Sequence, residues 1–212
     1  MRNYSFSDFL LQEIQHFIDS VILPSQYSSV ATPAQNLSPG NLTQRELDHT
    51  RSLIRIDHTG EICAQALYRG QAWITENEST RLYLHSCANE EYNHLVWCHL
   101  RLSELNTRAS MLNPIWYCLS FGIGVFSGML GDTVSYSFIV DSEKQVMYHL
   151  KEHISQLTPS DLKSHAILQK MYHEEQEHMA QAREMGGEEL PYWINRIMFF
   201  QSKIMTTIVY YI

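Results

Sequence analysis

The stretches Glu91-Tyr92-Asn93-His94 and Glu175-Gln176-Glu177-His178 repeat one spacing, and each follows a lone glutamate. Glu61 stands thirty residues before the first pair and Glu143 thirty-two before the second. Residues three apart share one helix face, so each Glu-x-x-His pair aims a carboxylate and an imidazole at one point. The thirty-residue separation suits two antiparallel helices joined by a short turn, which returns the pair to the level of the lone glutamate. Two such hairpins supply Glu61, Glu91, His94, Glu143, Glu175 and His178. Four carboxylates and two imidazoles are the ligand set of a carboxylate-bridged two-metal centre inside a four-helix bundle. The expected fold class is therefore all-α.

One such match carries little weight by itself. Sixteen glutamates and 11 histidines in 212 residues place about one Glu-x-x-His pair by chance. Glu46-x-x-His49 also fits, but Glu46 lies on the same predicted helix as Glu61, roughly 22 Å away at about 1.5 Å per residue. The Pro-, Ser-, Asn- and Gln-rich residues 24–44 before it offer no partner helix, so Glu46 and His49 read as a solvated surface pair. The other two pairs each have a glutamate one helix earlier, and that doubling separates them from chance.

The composition suits one globular domain with an appendage, at 44% hydrophobic and 18% charged residues. A net charge of −8 leaves no basic stripe for phosphates and argues against a nucleic-acid partner. Two divalent ions would balance four buried glutamates; otherwise the clustered carboxylates must take up protons. Cys63, Cys87, Cys98 and Cys118 form no C-x-x-C pair, and the first residues show no signal-peptide pattern. Reduced, mostly buried thiols in a cytosolic setting are expected.

Apolar periodicity predicts an amphipathic helix over residues 5–22, then a linker over 24–42. Thr43 and Glu46 form a capping-box pattern that starts a helix running to about 76. Further helices are predicted over about 79–106, 124–156, 160–185 and 191–211, with Gly186-Gly187 as a stop signal and Pro191 near a start. Residues 1–42 thus form an N-terminal helix and linker, and 43–212 the metal-binding domain.

Ala109–Gly131 carries no charge and is long enough to suggest a membrane span. Asn113-Pro114 and the glycines at 122, 124, 128 and 131 oppose that reading. A chain that must return Glu143 to the level of Glu91 also needs a crossover the length of the bundle, and this segment supplies it. Trp116, Tyr117, Phe121, Ile123, Val125, Phe126, Met129 and Leu130 exceed what a crossover needs. With the apolar residues of the last helix they suggest a segment resting on a bilayer; a buried core helix with an oligomer interface is the alternative.

The run Ile56-Asp57-His58-Thr59-Gly60-Glu61 resembles the "(I/V)DH-x-GE" motif of the demethoxyubiquinone hydroxylases. Leu112-Asn113-Pro114-Ile115-Trp116-Tyr117, Leu130-Gly131-Asp132, Val140 to Val146 with His149-Leu150, and Glu174 to His178 also resemble that family, in its order. The resemblance covers roughly residues 45–212. Asp141 departs from it, standing where a second glutamate is expected, and Thr59 replaces a frequent alanine.

The resemblance implies a ferritin-like four-helix bundle with a long apolar crossover and added N- and C-terminal helices. It implies an O2-dependent di-iron monooxygenase of ubiquinone biosynthesis that hydroxylates a polyprenyl methoxy-methyl benzoquinol. It places two Fe2+ ions on the six residues above and names NADH as a source of electrons, although no G-x-G-x-x-G motif follows a strand here. Carboxylates with imidazoles suit Fe(II) or Mn(II), and no thiolate joins the set. His149, six residues after Glu143, matches a family histidine near the site and is expected to orient a ligand or relay a proton; packing in the core is its other reading. Tyr68, two turns after Glu61, is expected to donate a hydrogen bond or line the quinol pocket, or simply to pack. His58 can reach the site from three residues before Glu61, but the six-ligand set is complete without it.

A lipid-borne substrate fits peripheral attachment at the cytoplasmic face of the inner cell membrane, as a homo-oligomer or within a ubiquinone-biosynthesis complex. Three other readings stand beside this one. A ferritin-like iron oxidase or storage protein would use the same ligands but needs no apolar crossover. A tRNA-modifying di-iron hydroxylase is disfavoured by the acidic charge. A structural helical membrane adaptor would make the two matched half-sites coincidental.

Overall fold

The computed structural model describes residues 6–21 and 31–212. The described helices are α1 (Phe6–Val21), α2 (Gln44–Ile74), α3 (Glu78–Glu104), α4 (Asn113–Met129), α5 (Asp132–Gln156), α6 (Leu162–Glu184) and α7 (Tyr192–Tyr211). The hairpins α2–α3 and α5–α6 associate as a ferritin-like bundle. Residues 5 and 22 of the first predicted helix and residues 24–30 of the predicted linker lie outside the described residues.

The helix ends follow local chemistry. Thr43 and Glu46 form the predicted capping box at the start of α2. Asn77 caps α3 through the backbone N–H groups of Ser79 and Thr80. Asp161 caps α6 through Ser164 N–H and also accepts from Arg101 Nη2 at 2.7 Å. Arg101 Nε donates to Ser164 Oγ as well, which ties the C-terminal turn of α3 to the first turn of α6.

Two apolar layers fill the bundle. One joins Ile54, Cys98, Leu102, Leu150, Leu168 and Met171. The other joins Tyr68, Leu84, Ala88, Ile139, Val140 and Ala182. On each of the four helices, the site residues fall in sequence between that helix's members of the two layers. The six-residue cluster therefore occupies the middle of the bundle, with apolar packing on either side.

The single helix predicted over 124–156 is two helices. Gly131 has φ of 102°, a left-handed conformation that suits glycine, and this turn separates α4 from α5. The crossover is itself helical, with Pro114 in its first turn where the missing N–H costs nothing. Glycines where it meets α2 allow close contact rather than breaking a helix: a Cβ on Gly124 would collide with Leu67 O of α2, and one on Gly70 of α2 with Phe121 O of α4. Backbone approach this close offsets the weak helix propensity of glycine.

The apolar excess of α4 divides between two faces. Trp116 and Tyr117 are buried, and Phe121 packs on Tyr117 and Trp73. Ile115, Leu119, Phe126, Met129 and Leu130 are exposed, as are Trp193, Ile197, Phe199, Phe200 and Ile204 of α7. Among the described residues, no helix is long and apolar enough to cross a membrane. α1 is fastened to the bundle by the Glu13–Arg69 ion pair, by Ser20 to Gln65, and by Phe17 edge-on to Tyr117. All four cysteines are free; Cys87 and Cys98 are buried and Cys118 is exposed.

Candidate di-metal centre and its cavity

The six residues singled out by spacing meet in the middle of the bundle, all buried. They form two overlapping sets, Glu61, Glu91, His94, Glu175 and Glu91, Glu143, Glu175, His178. Within each set the potential ligand atoms lie within 4.8 Å of one another. Glu91 and Glu175 belong to both sets, whereas Glu61 and Glu143 each belong to one. The lone glutamate of each hairpin is thus a terminal group, and the Glu-x-x-His glutamates are shared.

The contacts inside the cluster suit a cation better than a network of hydrogen bonds. His94 Nδ1 lies 2.9 Å from Glu175, 3.2 Å from Glu91 and 3.4 Å from Glu61, yet it makes a hydrogen bond to none of them. Both oxygens of Glu91 and of Glu143 also lack hydrogen-bond partners among the described residues, as do Glu61 Oε2 and Glu175 Oε1. Buried carboxylate oxygens left in this way are costly unless a cation compensates them. The donor set, oxygen-rich with two imidazoles, fits a pair of divalent iron or manganese ions.

The electrostatics reflect the same crowding. Burial pushes Glu61 and Glu143 well above the ordinary carboxylate range, and neighbouring carboxylates add to it. Burial would raise Glu91 too, but the His178 and His94 imidazoles close beside it pull it below that range. Burial would lower His94 and His178, but the carboxylates around them hold both well above the ordinary imidazole value of 6.5. Cations would replace these protons as the balancing charge.

A surrounding layer escaped the sequence reading. His94 Nε2 pairs with Glu174 Oε2 at 2.8 Å, and His178 Nε2 with Glu90 Oε2 at 2.9 Å. Each imidazole therefore directs Nδ1 inward, with its outer nitrogen held by the opposite hairpin. The signal was available: Glu90-Glu91 and Glu174-Glu175 are doublets, each a glutamate immediately before a shared one.

The remaining candidates take other places. Glu46 is engaged by the Thr43 cap and His49 Nδ1 by the Tyr210 hydroxyl at 2.8 Å, so the two do not act as a surface pair. Glu13-x-x-His16, a further match of the same spacing, has its glutamate bound to Arg69. His58 turns to Asn113 and His99. Tyr68 is fully buried in the apolar layer beside the cluster; its hydroxyl has no hydrogen-bond partner among the described residues. His149 pairs through Nε2 with Ser202 Oγ of α7 at 2.9 Å.

His149 and Glu61 share a cavity of about 160 Å³, bounded by α2, α4, α5 and α7. Leu67, Trp116, Ile123, Phe138, Val146, Met198 and Met205 give it a mainly apolar wall, and Asp57, Gln145 and Ser202 are among its polar residues. Tyr68 is not part of that wall. Burial pushes the Cys63 thiol, another wall residue, up to about 11, so it stays neutral. α7 completes the enclosure, and Trp116 also borders the apolar groove formed by Ile197, Phe200 and Ile204.

Comparison with known proteins agrees with this arrangement. The family model described as ubiquinone biosynthesis protein COQ7 matches residues 48–209. A Francisella tularensis subsp. tularensis (strain WY96-3418) protein named 3-demethoxyubiquinol 3-hydroxylase is 44% identical over 210 residues, covering 99% of both chains. One of the same name from Francisella tularensis subsp. novicida (strain U112) is 45% identical over 213 residues, again 99% of both. The chain belongs to the COQ7 family of ubiquinone biosynthesis proteins.

Proposed function

We propose that this chain is a 3-demethoxyubiquinol 3-hydroxylase that inserts one oxygen atom of O2 into the ring of a polyprenyl methoxy-methyl benzoquinol. The observation that carries this reading is the double position of Glu61, in the metal-binding cluster and in the wall of the apolar cavity. A storage protein has no need of such a cavity. The net charge of −8 disfavours a tRNA substrate.

Glu61, Glu91, Glu175 and His94 would hold one iron, and Glu91, Glu143, Glu175 and His178 the other. Bound there, the two irons supply the redox chemistry that activates O2. The protein positions the ring beside Glu61, and apolar wall residues exclude water from the reacting face. Glu174 and Glu90 keep the two imidazoles oriented. Two electrons from a reductant such as NADH complete the balance, the second oxygen atom leaving as water. The exposed apolar residues of α4 and α7 rest on the cytoplasmic face of the membrane, from which a polyprenyl quinol enters without crossing water.

The test is turnover of a short-chain demethoxyubiquinol by the iron-loaded protein under 18O2 with a reductant. One 18O atom in the ring hydroxyl is expected, and none after Glu175→Ala. Iron-loaded protein that consumes O2 without hydroxylating the ring overturns the proposal. Flotation with anionic vesicles tests attachment: Phe126→Ser with Phe200→Ser should abolish it and leave iron content unchanged.

A further inference from the structure

A second cavity, of about 770 Å³, lies between α1 and the α2–α3 hairpin. Its wall takes Glu13 and His16 from α1, Arg69 and Trp73 from α2, and Arg81 and His85 from α3. It stands apart from the di-metal cluster, since Arg69 follows Glu61 by eight residues, about 12 Å along α2. A volume of that order accommodates a small molecule, and so polar a wall does not suit a polyprenyl chain.

The charge of the wall runs against that of the chain. Two guanidiniums accompany one carboxylate here, in a protein of net charge −8. Arg69 holds Glu13 in a two-pronged contact, Nε to Oε2 at 2.8 Å and Nη2 to Oε1 at 2.6 Å. Arg81 pairs with Glu78, whose side chain is 69% exposed, so water screens that carboxylate. His16 and His85 are half-buried, and both feel the charges of Arg69 and Glu13. Among the described residues, no third ligand joins these imidazoles to make a metal site, and the guanidiniums repel a cation.

We infer that this cavity binds a small molecule through a phosphate-type dianion, with His16 and His85 as the donors that respond to its charge. The space exceeds what a bare oxyanion fills, and Trp73 adds a ring surface for the group that carries the phosphate. Burial lowers the pKa of His16 below 6.5 and Arg69 adds to this, against the opposing pull of Glu13 and Asp19; His85 nearby lowers it further. Burial and Arg69 lower His85 as well, with Arg81 adding to them and Glu13 and Glu78 opposing. Both imidazoles are therefore neutral at pH 7 while the cavity holds no anion. A dianion reverses the local field and favours the protonated rings, each of which then donates a charge-assisted hydrogen bond. Binding is thus coupled to proton uptake, and it ties α1 to α3 across the cavity.

Calorimetric titration of the iron-loaded protein tests the assignment. Inorganic sulfate is the first probe, because it keeps both charges from pH 8 to pH 6 and any pH dependence then belongs to the protein. One sulfate per chain is expected, bound at least about tenfold more tightly at pH 6 than at pH 8, since each proton taken up is worth up to about tenfold per pH unit. Phenyl phosphate, a monoester with a ring attached, should displace sulfate and bind more tightly than it at pH 7.5. His16→Gln/His85→Gln should retain both irons but lose most of the binding and its pH dependence. If that protein fails to accumulate, Arg81→Gln serves instead, and should weaken both probes while leaving the pH dependence in place. Sulfate binding that persists unchanged in these variants puts the anion elsewhere, the metal cluster included, and overturns the inference. Wild type that binds neither probe, or that binds phenyl phosphate without releasing sulfate, overturns it too.

Discussion

His94 and Glu174 join the two hairpins of the bundle: Nε2 of the histidine lies 2.8 Å from Oε2 of the glutamate. The equivalent contact, His178 to Glu90, runs in the opposite direction across the same interface. Each contact fixes the tautomer that leaves Nδ1 free for a metal. Glu174→Ala should therefore lower iron affinity by about 10- to 100-fold, measured by chelator competition. Glu90→Ala should cost less, because the Glu90 side chain is 54% exposed and that of Glu174 26%. Unchanged affinity in Glu174→Ala would mean that other contacts orient His94.

Shared and terminal glutamates should behave differently when removed. Glu175→Ala takes a ligand from both metal positions and should leave close to no iron. Glu143→Ala takes a ligand from the His178 position alone, and should retain about one iron per chain. Glu46→Ala disturbs the α2 cap and should retain both irons, at a cost of about 1 kcal/mol in stability. Iron analysis and thermal melts of the three variants separate these outcomes. Equal iron loss in Glu143→Ala and Glu175→Ala would contradict the shared role.

The central cluster was legible because all its members stand at helical spacing within two hairpins, and periodicity survives any detail of packing. The cavity was not. Leu67, Trp116, Val146 and Met205 come from four helices, and their meeting depends on how α4 and α7 lie against α2. No local pattern records that. The break between α4 and α5 hid in a run of glycines: Gly131 supplies a turn while Gly124, of the same residue type, supplies close contact. Composition alone does not tell the two uses apart. His149 was placed near the site from its offset to Glu143, but its partner, Ser202, is on a helix whose docking the offset does not reveal.

That contrast among glycines yields a paired test. A Cβ on Gly124 meets the backbone of Leu67, which has no rotamer through which to yield. Gly124→Ala should separate α4 from α2 and cost about 3 kcal/mol, the upper range for overpacking. Gly122 is in the same helix with open space where a Cβ would go. Gly122→Ala should stabilise by about 0.5–1 kcal/mol through helix propensity. Chemical denaturation of both variants measures the opposing signs, and a stabilised Gly124→Ala would show that α4 is not held this closely.

His58 provides a pH-dependent prediction away from the metal ligands. Burial lowers its pKa from 6.5 to about 3, with His99 adding to the effect. The folded protein therefore holds His58 neutral, while the unfolded chain takes up a proton below pH 6.5. Between those two values the unfolded state binds more protons, so this residue makes stability fall as pH falls; near pH 3 the loss is complete. The slope is about 1.4 kcal/mol per pH unit. His58→Leu removes the proton uptake and keeps an apolar group of similar size in the site. Relative to wild type it should lie within about 1 kcal/mol at pH 7 and gain about 2 kcal/mol on moving to pH 5. Effects of acid on the metal cluster are common to both proteins and cancel in this difference. Parallel stability-against-pH curves for the two proteins would mean that His58 is protonated in the folded state and that its burial carries no acid penalty.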